Sequence, residues 1–172
     1  MFVDEVSVLL EKDITTDNII ENTLTLSSTH SMKISLEAVR NGKAGLDAHR
    51  QRMLDRAPEN GDWAKFQRDT VELKDLAYLT AKVGDEFTLL RGKHEDILFH
   101  GDNQSCRLDV FENELKNRKY VIVGHSHPGE DDPKPSDKDR NVLKLIGQDR
   151  SSIVSGRTGK IIDFGADRFE IF

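Results

Sequence analysis

The stretch of sequence that decides the fold is VIVGHSHPGEDDPKPSDKD, residues 121–139. Its apolar beginning shows no alternation, which predicts a central strand that is buried on both faces of a sheet. The strand ends in a pair of histidines, and Ser136 followed by Asp139 predicts the start of a helix. Because alternate residues of a strand point to the same face, we expect His125 and His127 to converge on one point.

The polar side chains of this stretch form a candidate zinc centre. A catalytic zinc site has three nitrogen or oxygen ligands from the protein and an open position for water. We predict His125, His127 and Asp139 as these ligands. Two neutral imidazoles and one carboxylate leave the ion with a net positive charge, which lowers the pKa of its bound water.

The alternative interpretation is an ordinary polar turn between a strand and a helix. In that case Ser136 and Asp139 form only a capping box, and the helix dipole favours acidic residues in the first turn without any metal. The conjunction of the histidine pair with the serine and the aspartate favours the metal site over the turn.

The composition of the chain limits the classes of function. A chain of 172 residues, 36% apolar and 33% charged, is long enough for one ordinary domain around a single core. The formal net charge of -6 gives no electrostatic reason to bind nucleic acid. Cys106 is the only cysteine, which excludes an intrachain disulfide and a Cys-rich zinc finger. We expect it to be a small buried residue and not a nucleophile.

The sequence also bears on where the protein is found. No segment approaches the roughly 20 apolar residues that a membrane span requires. The N-terminal run MFVDEVSVLLEKD carries acidic residues where a secretory signal would carry basic ones. We therefore expect a cytoplasmic chain without membrane association, or else the C-terminal part of a larger exported protein.

The N-terminal half of the chain predicts helices after an irregular lead-in. The runs VSVLL and TLTLSSTH are weak strand candidates within the lead-in. A helical pattern covers residues 31–56, and a second amphipathic helix is predicted to follow it, from its cap Asp62 to about Lys82. We treat this part of the chain, residues 1–82, as an N-terminal lead-in and helical segment.

Residues 83–172 predict an α/β domain of the α+β type, in which a mixed β-sheet is flanked by helices. The expected strands are EFTLLRG and DILFHG as a hairpin, KYVIVGH in the centre, then SSIVSG, KIIDFG and a last candidate, RFEIF. The expected helices are LDVFENELKNR and SDKDRNVLKLIGQ.

The segment GHSHPGEDDPKPSDKD resembles the signature of the JAMM (JAB1/MPN/Mov34) metalloproteases, which is His-x-His, seven residues, Ser, two residues, Asp. The resemblance implies that His125, His127 and Asp139 bind zinc and that Ser136 stabilises the oxyanion. The chain departs from the pattern in one place, because eight residues, PGEDDPKP, separate His127 from Ser136. A loop before a helix absorbs one extra residue at little cost.

The same resemblance implies a glutamate on an early strand as the general acid and base. Glu86 is the best candidate, because it begins the first predicted strand of the domain. Glu95, expected in a hairpin turn, and Glu72, expected on a helix, are weaker candidates. An isolated glutamate at the start of a strand is ordinarily a solvated residue, so this choice depends on the histidine cluster.

The order of elements over about residues 84–165 resembles the JAB-like domains of bacterial polymorphic toxins and phage-associated proteins. This resemblance implies a JAB/MPN-like fold of the cytidine-deaminase-like kind. Residues 31–82 resemble no family that we can name. We treat the remaining histidines as surface or structural residues; these are His30, His49, His94 and His100.

Two classes of function follow from these patterns. The first is a zinc-dependent metallo(iso)peptidase, a hydrolase acting on a protein or peptide substrate that includes ubiquitin-like tails, with a bacterial toxin and a cognate immunity protein as one biological setting. The alternative is a degenerate JAB-fold binding or scaffold module without peptidase activity. The intact histidines, serine and aspartate favour the peptidase. A metal-dependent nuclease is disfavoured by the acidic balance of the chain.

Overall fold

A computed structural model describes residues 34–167 of the chain. The strand candidates VSVLL, TLTLSSTH and RFEIF, together with His30, lie outside the described residues. The described helices are α1 (Leu36–Arg40), α2 (Ala48–Arg56), α3 (Leu73–Val83), a 3-10 turn (Leu108–Phe111), α4 (Glu112–Lys116) and α5 (Asp137–Ile146). The described strands are β1 (Trp63–Gln67), β2 (Phe87–Arg91), β3 (Glu95–His100), β4 (Val121–His127), β5 (Arg150–Ser155) and β6 (Ile161–Gly165).

The six described strands form one mixed sheet in the order β1-β3-β2-β4-β5-β6. β4 and β5 are parallel, and every other neighbouring pair is antiparallel. The prediction of a mixed α+β domain with helices beside the sheet is therefore confirmed. β4 occupies a central position between β2 and β5, as its continuous apolar run predicts.

A first core lies on the face of the sheet that α1, α2 and α3 cover. The buried apolar side chains of α3 form its centre and pack against alternate residues of β2. Members of this core that are almost fully buried include Met53, Leu76, Leu79, Phe87 and Leu89.

A second core lies on the opposite face, under the 3-10 turn, α4 and α5. Leu143 and Ile146 of α5 and Leu115 of α4 are buried against Ile122 and Ile153 of the two parallel strands. The sheet is thus covered on both faces, which explains why β4 contains no polar-apolar alternation over its first residues.

The structure corrects the two predicted N-terminal helices. The helical pattern over residues 31–56 divides into α1 and α2, because the chain turns after Arg40 and Gly42 adopts a φ of 76°. The helix predicted to begin at Asp62 is wrong in its first half, where β1 pairs with the edge of β3. 

The error at β1 has a simple cause. Trp63 and Phe66 are three residues apart, which is a helical spacing, but on a strand this spacing puts them on opposite faces. Trp63 packs edge-to-face on Phe111 at 5.2 Å between ring centroids, whereas Phe66 packs against the first core. Residues 34–82 thus contribute a strand to the sheet and α3 to the first core.

The end of α3 leads directly into the site described below. Gly84 ends the helix in the left-handed conformation, with a φ of 81°, which a residue with a Cβ rarely adopts. Two residues later Glu86 precedes β2, as the sequence predicts. No helix among the described residues is long and apolar enough to cross a membrane.

Candidate metal centre

The end of β4 brings the two predicted histidine ligands to one face of the sheet. Gly124 permits this placement, because a Cβ at that position would lie 2.8 Å from the carbonyl oxygen of Ser152 on the neighbouring strand. Ser126, between the histidines, points to the opposite face. There its hydroxyl lies 2.6 Å from Thr80 Oγ1 and accepts a hydrogen bond from the Phe87 amide at 2.9 Å.

The structure brings the three predicted ligands together. His125 Nε2 lies 3.1 Å from His127 Nε2 and 3.2 Å from Asp139 Oδ1. His127 Nε2 lies 3.5 Å from Asp139 Oδ2. One ligand atom from each of the three residues falls within 4.8 Å of the others, so this cluster could hold a metal ion.

The spacing of these atoms fits a tetrahedral ion. Zinc bound to nitrogen and oxygen at about 2.0–2.2 Å places neighbouring ligand atoms about 3.3–3.6 Å apart. The two histidine nitrogens are 3.1 Å apart and His125 Nε2 lies 3.2 Å from Asp139 Oδ1, both close to this value, whereas the 3.5 Å contact of His127 Nε2 is to the other oxygen of Asp139, Oδ2. Two imidazoles and one carboxylate are also ligands that suit zinc.

Asp139 and Ser136 form the predicted capping box at the start of α5. The amide of Asp139 donates to Ser136 Oγ at 3.0 Å, and the amide of Ser136 donates to Asp139 Oδ2 at 2.8 Å. The cap does not compete with the cluster, since Asp139 has a second oxygen near His125. The hydroxyl of Ser136 only accepts in this cap, which leaves its O–H available to donate into the cleft.

Glu86 lines the same cleft as the three predicted ligands. The register of β2 and β4 pairs Thr88 with His125, so Glu86, two residues earlier, lies beside the end of the histidine strand. Glu86 is 8% exposed, and its burial raises the pKa of its carboxyl above the ordinary value although His125 and His127 oppose this. A raised pKa makes a carboxyl a stronger base, which favours its use in general acid–base catalysis.

The charges of the cluster are strongly coupled. Burial alone would raise the pKa of Asp139, but hydrogen bonds from His125 and His127 hold it well below its usual range. Burial would lower the pKa of His127, and the hydrogen bonds to Asp139 and Glu130 instead raise it to about 9. The carboxylates that attract a proton to His127 would also attract a cation to the cluster.

Glu130 belongs to the surroundings of the cluster, although the sequence interpretation did not single it out. Its Oε1 accepts a hydrogen bond from Nδ1 of His127 at 2.9 Å. The sequence spacing could have indicated this contact, because Glu130 lies three residues after His127 in the loop that leads to α5. A turn of this length returns the carboxylate to the outer side of the imidazole ring.

Contacts with the turn between β5 and β6 hold this loop in place. The hydroxyl of Ser155 donates to the carbonyl of Glu130 at 2.5 Å, and Arg157 Nε donates to Asp131 Oδ1 at 2.8 Å. Lys160 Nζ donates to Asp132 Oδ1 at 2.6 Å. The eight-residue connection from His127 to Ser136 therefore has a defined path across the protein.

The cluster opens into a cleft of about 330 Å³ between the sheet, α5 and residues 104–108. Its floor is partly apolar, with Ile122, Leu143 and Phe164. A second groove of about 360 Å³ adjoins it between the 3-10 turn, α4 and α5, and the two share Cys106, Leu108 and Val142. The arrangement offers an elongated, largely apolar surface that begins at the cluster.

The remaining residues considered in the sequence fall outside the cluster. His100 is buried and structural, with hydrogen bonds to Ala57 O at 2.7 Å and Asp85 Oδ2 at 2.8 Å. His49 is half-exposed and His94 is exposed.

Neither of the other two glutamates points to catalysis. Glu72 caps α3. Glu95 was predicted to lie in a hairpin turn, but it is the first residue of β3.

Cys106 lines the cleft but is not one of the clustered ligands. Burial raises the pKa of its thiol well above the ordinary value. A thiol that stays protonated is a poor nucleophile, which agrees with the expectation of a non-nucleophilic cysteine.

Comparisons of the chain with models of protein families, with characterised proteins and with solved structures found no match.

Proposed function

We propose that this protein is a zinc-dependent metallo(iso)peptidase of the JAMM type on a JAB/MPN-like fold. The observation that carries the proposal is the convergence of His125, His127 and Asp139 at one edge of the sheet, in the cleft that Glu86 also lines. The two histidines come from β4, Asp139 comes from α5, and Glu86 comes from the segment before β2. A capping box accounts for the place of Asp139, and it does not account for two histidine nitrogens that lie within 3.5 Å of its carboxylate oxygens.

His125, His127 and Asp139 would hold the ion, and its chemistry is that of a Lewis acid that polarises a carbonyl and lowers the pKa of bound water. Glu86 takes a proton from the attacking water and delivers it to the leaving amine. Its buried position suits this role, because a raised pKa brings the carboxyl closer to the pH at which it must work.

Ser136 supports the reaction as a hydrogen-bond donor. Its oxygen accepts from the Asp139 amide, and its O–H remains free beside the cleft. A donor fixed at the start of a helix stabilises the negative charge that develops on the carbonyl oxygen of the scissile bond. The same residue therefore serves as helix cap and as oxyanion donor.

The shape of the cleft favours a protein or peptide substrate. The groove beyond Leu108 and Val142 extends the cleft along α5, and the exposed side chain of Leu145 lines it. An extended chain that ends at or branches from the scissile bond fits such a surface better than a compact solute does. A ubiquitin-like tail is one such chain, and a toxin that is neutralised by an immunity protein is one setting for the activity.

Cleavage of defined peptide libraries tests this function. One library should carry main-chain peptide bonds, and the other should carry peptides joined to a lysine side chain, with products identified by mass spectrometry. We expect zinc-loaded protein to cleave members of at least one library, and 1,10-phenanthroline to abolish the cleavage. A fully zinc-loaded protein that cleaves neither library would favour the binding module instead.

A further inference from the structure

The loop that follows β4 carries Glu130, whose contact with His127 is not explained by a contribution to the stability of the fold. Glu130 accepts a hydrogen bond from His127 Nδ1 at 2.9 Å, although 46% of the Glu130 side chain is exposed. An exposed pair of this kind contributes little to the stability of the fold. The carboxylate is nevertheless held on a short loop by contacts at its own carbonyl and on the next residue.

The orientation of the His127 ring determines which of its nitrogens is available to bind an ion. Nδ1 and Nε2 lie on opposite sides of an imidazole, and His127 directs Nε2 toward His125 and Asp139. Glu130 is therefore on the outer side of the ring and is not a fourth ligand. A proton held on Nδ1 by Glu130 leaves the lone pair of Nε2 free for an ion.

We propose that Glu130 is a positioning residue of the metal centre, which fixes both the ring orientation and the tautomer of His127. The inference rests on the proposed metal centre and goes beyond it, because it assigns a role to a residue outside the His-x-His and Ser-x-x-Asp pattern. Partners of this kind typically change metal affinity by 10–100-fold when they are removed.

Neighbouring contacts hold Glu130 in the position from which it reaches His127. Its second hydrogen bond, from the amide of Lys134 at 3.3 Å, holds the carboxylate toward the ring. The hydroxyl of Ser155 holds its carbonyl, and the neighbouring Asp131 pairs with Arg157 on the surface. Asp131 is thus a matched control, since it lies on the same loop with a similar exposed ion pair but does not touch a ligand.

The test compares the affinity of the whole chain and three variants for Zn²⁺, measured by competition with a chelating dye. Glu130→Ala should weaken Zn²⁺ binding 10–100-fold relative to the native chain. Glu130→Gln should weaken it much less than Glu130→Ala does, because its amide oxygen still accepts a hydrogen bond from His127 Nδ1. Asp131→Ala should bind as the native chain does. The metal-free proteins should unfold at similar temperatures, and the absorption bands of Co²⁺ should shift only in Glu130→Ala.

Three results would overturn the proposal. Glu130→Ala could bind Zn²⁺ as tightly as Asp131→Ala does, or both alanine variants could lose affinity equally, which would show an effect of the loop alone. In both cases a native chain that binds Zn²⁺ leaves the proposed function standing. A native chain that binds no Zn²⁺ removes the metal centre and the role of Glu130 together.

Discussion

The buried polar side chains on the two faces of the sheet have different kinds of partners. On the face of the first core, Asp75 is held by Arg50 Nε and the Glu72 amide, both at 2.8 Å, and Ser126 is held by Thr80. On the face of the second core, the polar side chains at the end of β4 contact one another at the rim of an open cleft. The first face satisfies its polar groups internally, whereas the second directs them at a common point.

This difference indicates which face carries the chemistry of the protein, whereas both faces carry a core that stabilises it. Converging carboxylates and imidazoles are costly to hold together unless a cation or protons balance their charge. The first core, with many side chains that are almost fully buried, supplies stability without this cluster. Substitutions on the two faces should therefore separate stability from activity.

The largest expected effect comes from Glu86 on the second face. Glu86→Gln keeps the size of the side chain and removes its ability to transfer a proton, so we expect turnover to fall by about 10²–10⁴-fold. Zinc content should not change, because Glu86 is not one of the clustered ligands. Glu37→Gln, at an exposed glutamate of α1 on the other face of the sheet, is the control and should leave turnover unchanged. Near-native turnover of Glu86→Gln would show that another acid serves.

Ser136→Gly should have the next largest effect on activity. Glycine is tolerated at an N-cap with a loss of only a few tenths of a kcal/mol relative to serine, so the helix should persist. Loss of the hydroxyl removes a donor to the oxyanion, which is worth about 10²–10³-fold in turnover. Steady-state kinetics and a melting curve on the same sample measure both. Equal turnover of the two proteins would limit Ser136 to its capping role.

On the first face we expect the opposite pattern from Leu79→Ala. Leu79 is fully buried in α3, and truncation of such a leucine costs about 2–5 kcal/mol of the free energy of unfolding. Denaturant titration should show this loss, while the folded variant binds zinc with unchanged stoichiometry. Leu145→Ala, at a leucine of α5 that is 60% exposed, should change stability by less than about 0.5 kcal/mol. A loss of zinc from folded Leu79→Ala would show that the faces are coupled.

Removal of the metal should lower the stability of the fold without unfolding it. Zinc at about 100 times its dissociation constant stabilises the folded state by about 2.7 kcal/mol, so a chelator should lower the melting temperature by roughly 5–10 °C. Far-UV circular dichroism at room temperature should stay the same, because both cores form without the ion. Unfolding of the whole chain on chelation would make the metal structural.

The sequence predicts the centre of this protein better than its beginning. The continuous apolar run of β4, the histidine spacing and the Ser136–Asp139 cap are local signals, and each is confirmed in the structure. The choice of Glu86 also depended on the order of the predicted strands and helices, because no motif near it in the sequence identifies it.

Two features could not be predicted because they depend on distant partners. β1 is a strand through its pairing with β3, and the spacing of Trp63 and Phe66 imitates a helix. The role of Glu130 depends on the path of its loop, which contacts with residues 155–160 determine.

Metal content of the purified chain tests the central claim most directly. Elemental analysis after incubation with zinc at neutral pH and removal of unbound metal should give close to one zinc ion per native chain. His94→Ala, at an exposed histidine outside the cluster, should give the same value. His127→Ala should retain almost none, because it removes one of the three converging ligands. A native chain without zinc, or a His127→Ala chain that retains a full equivalent, would contradict the account.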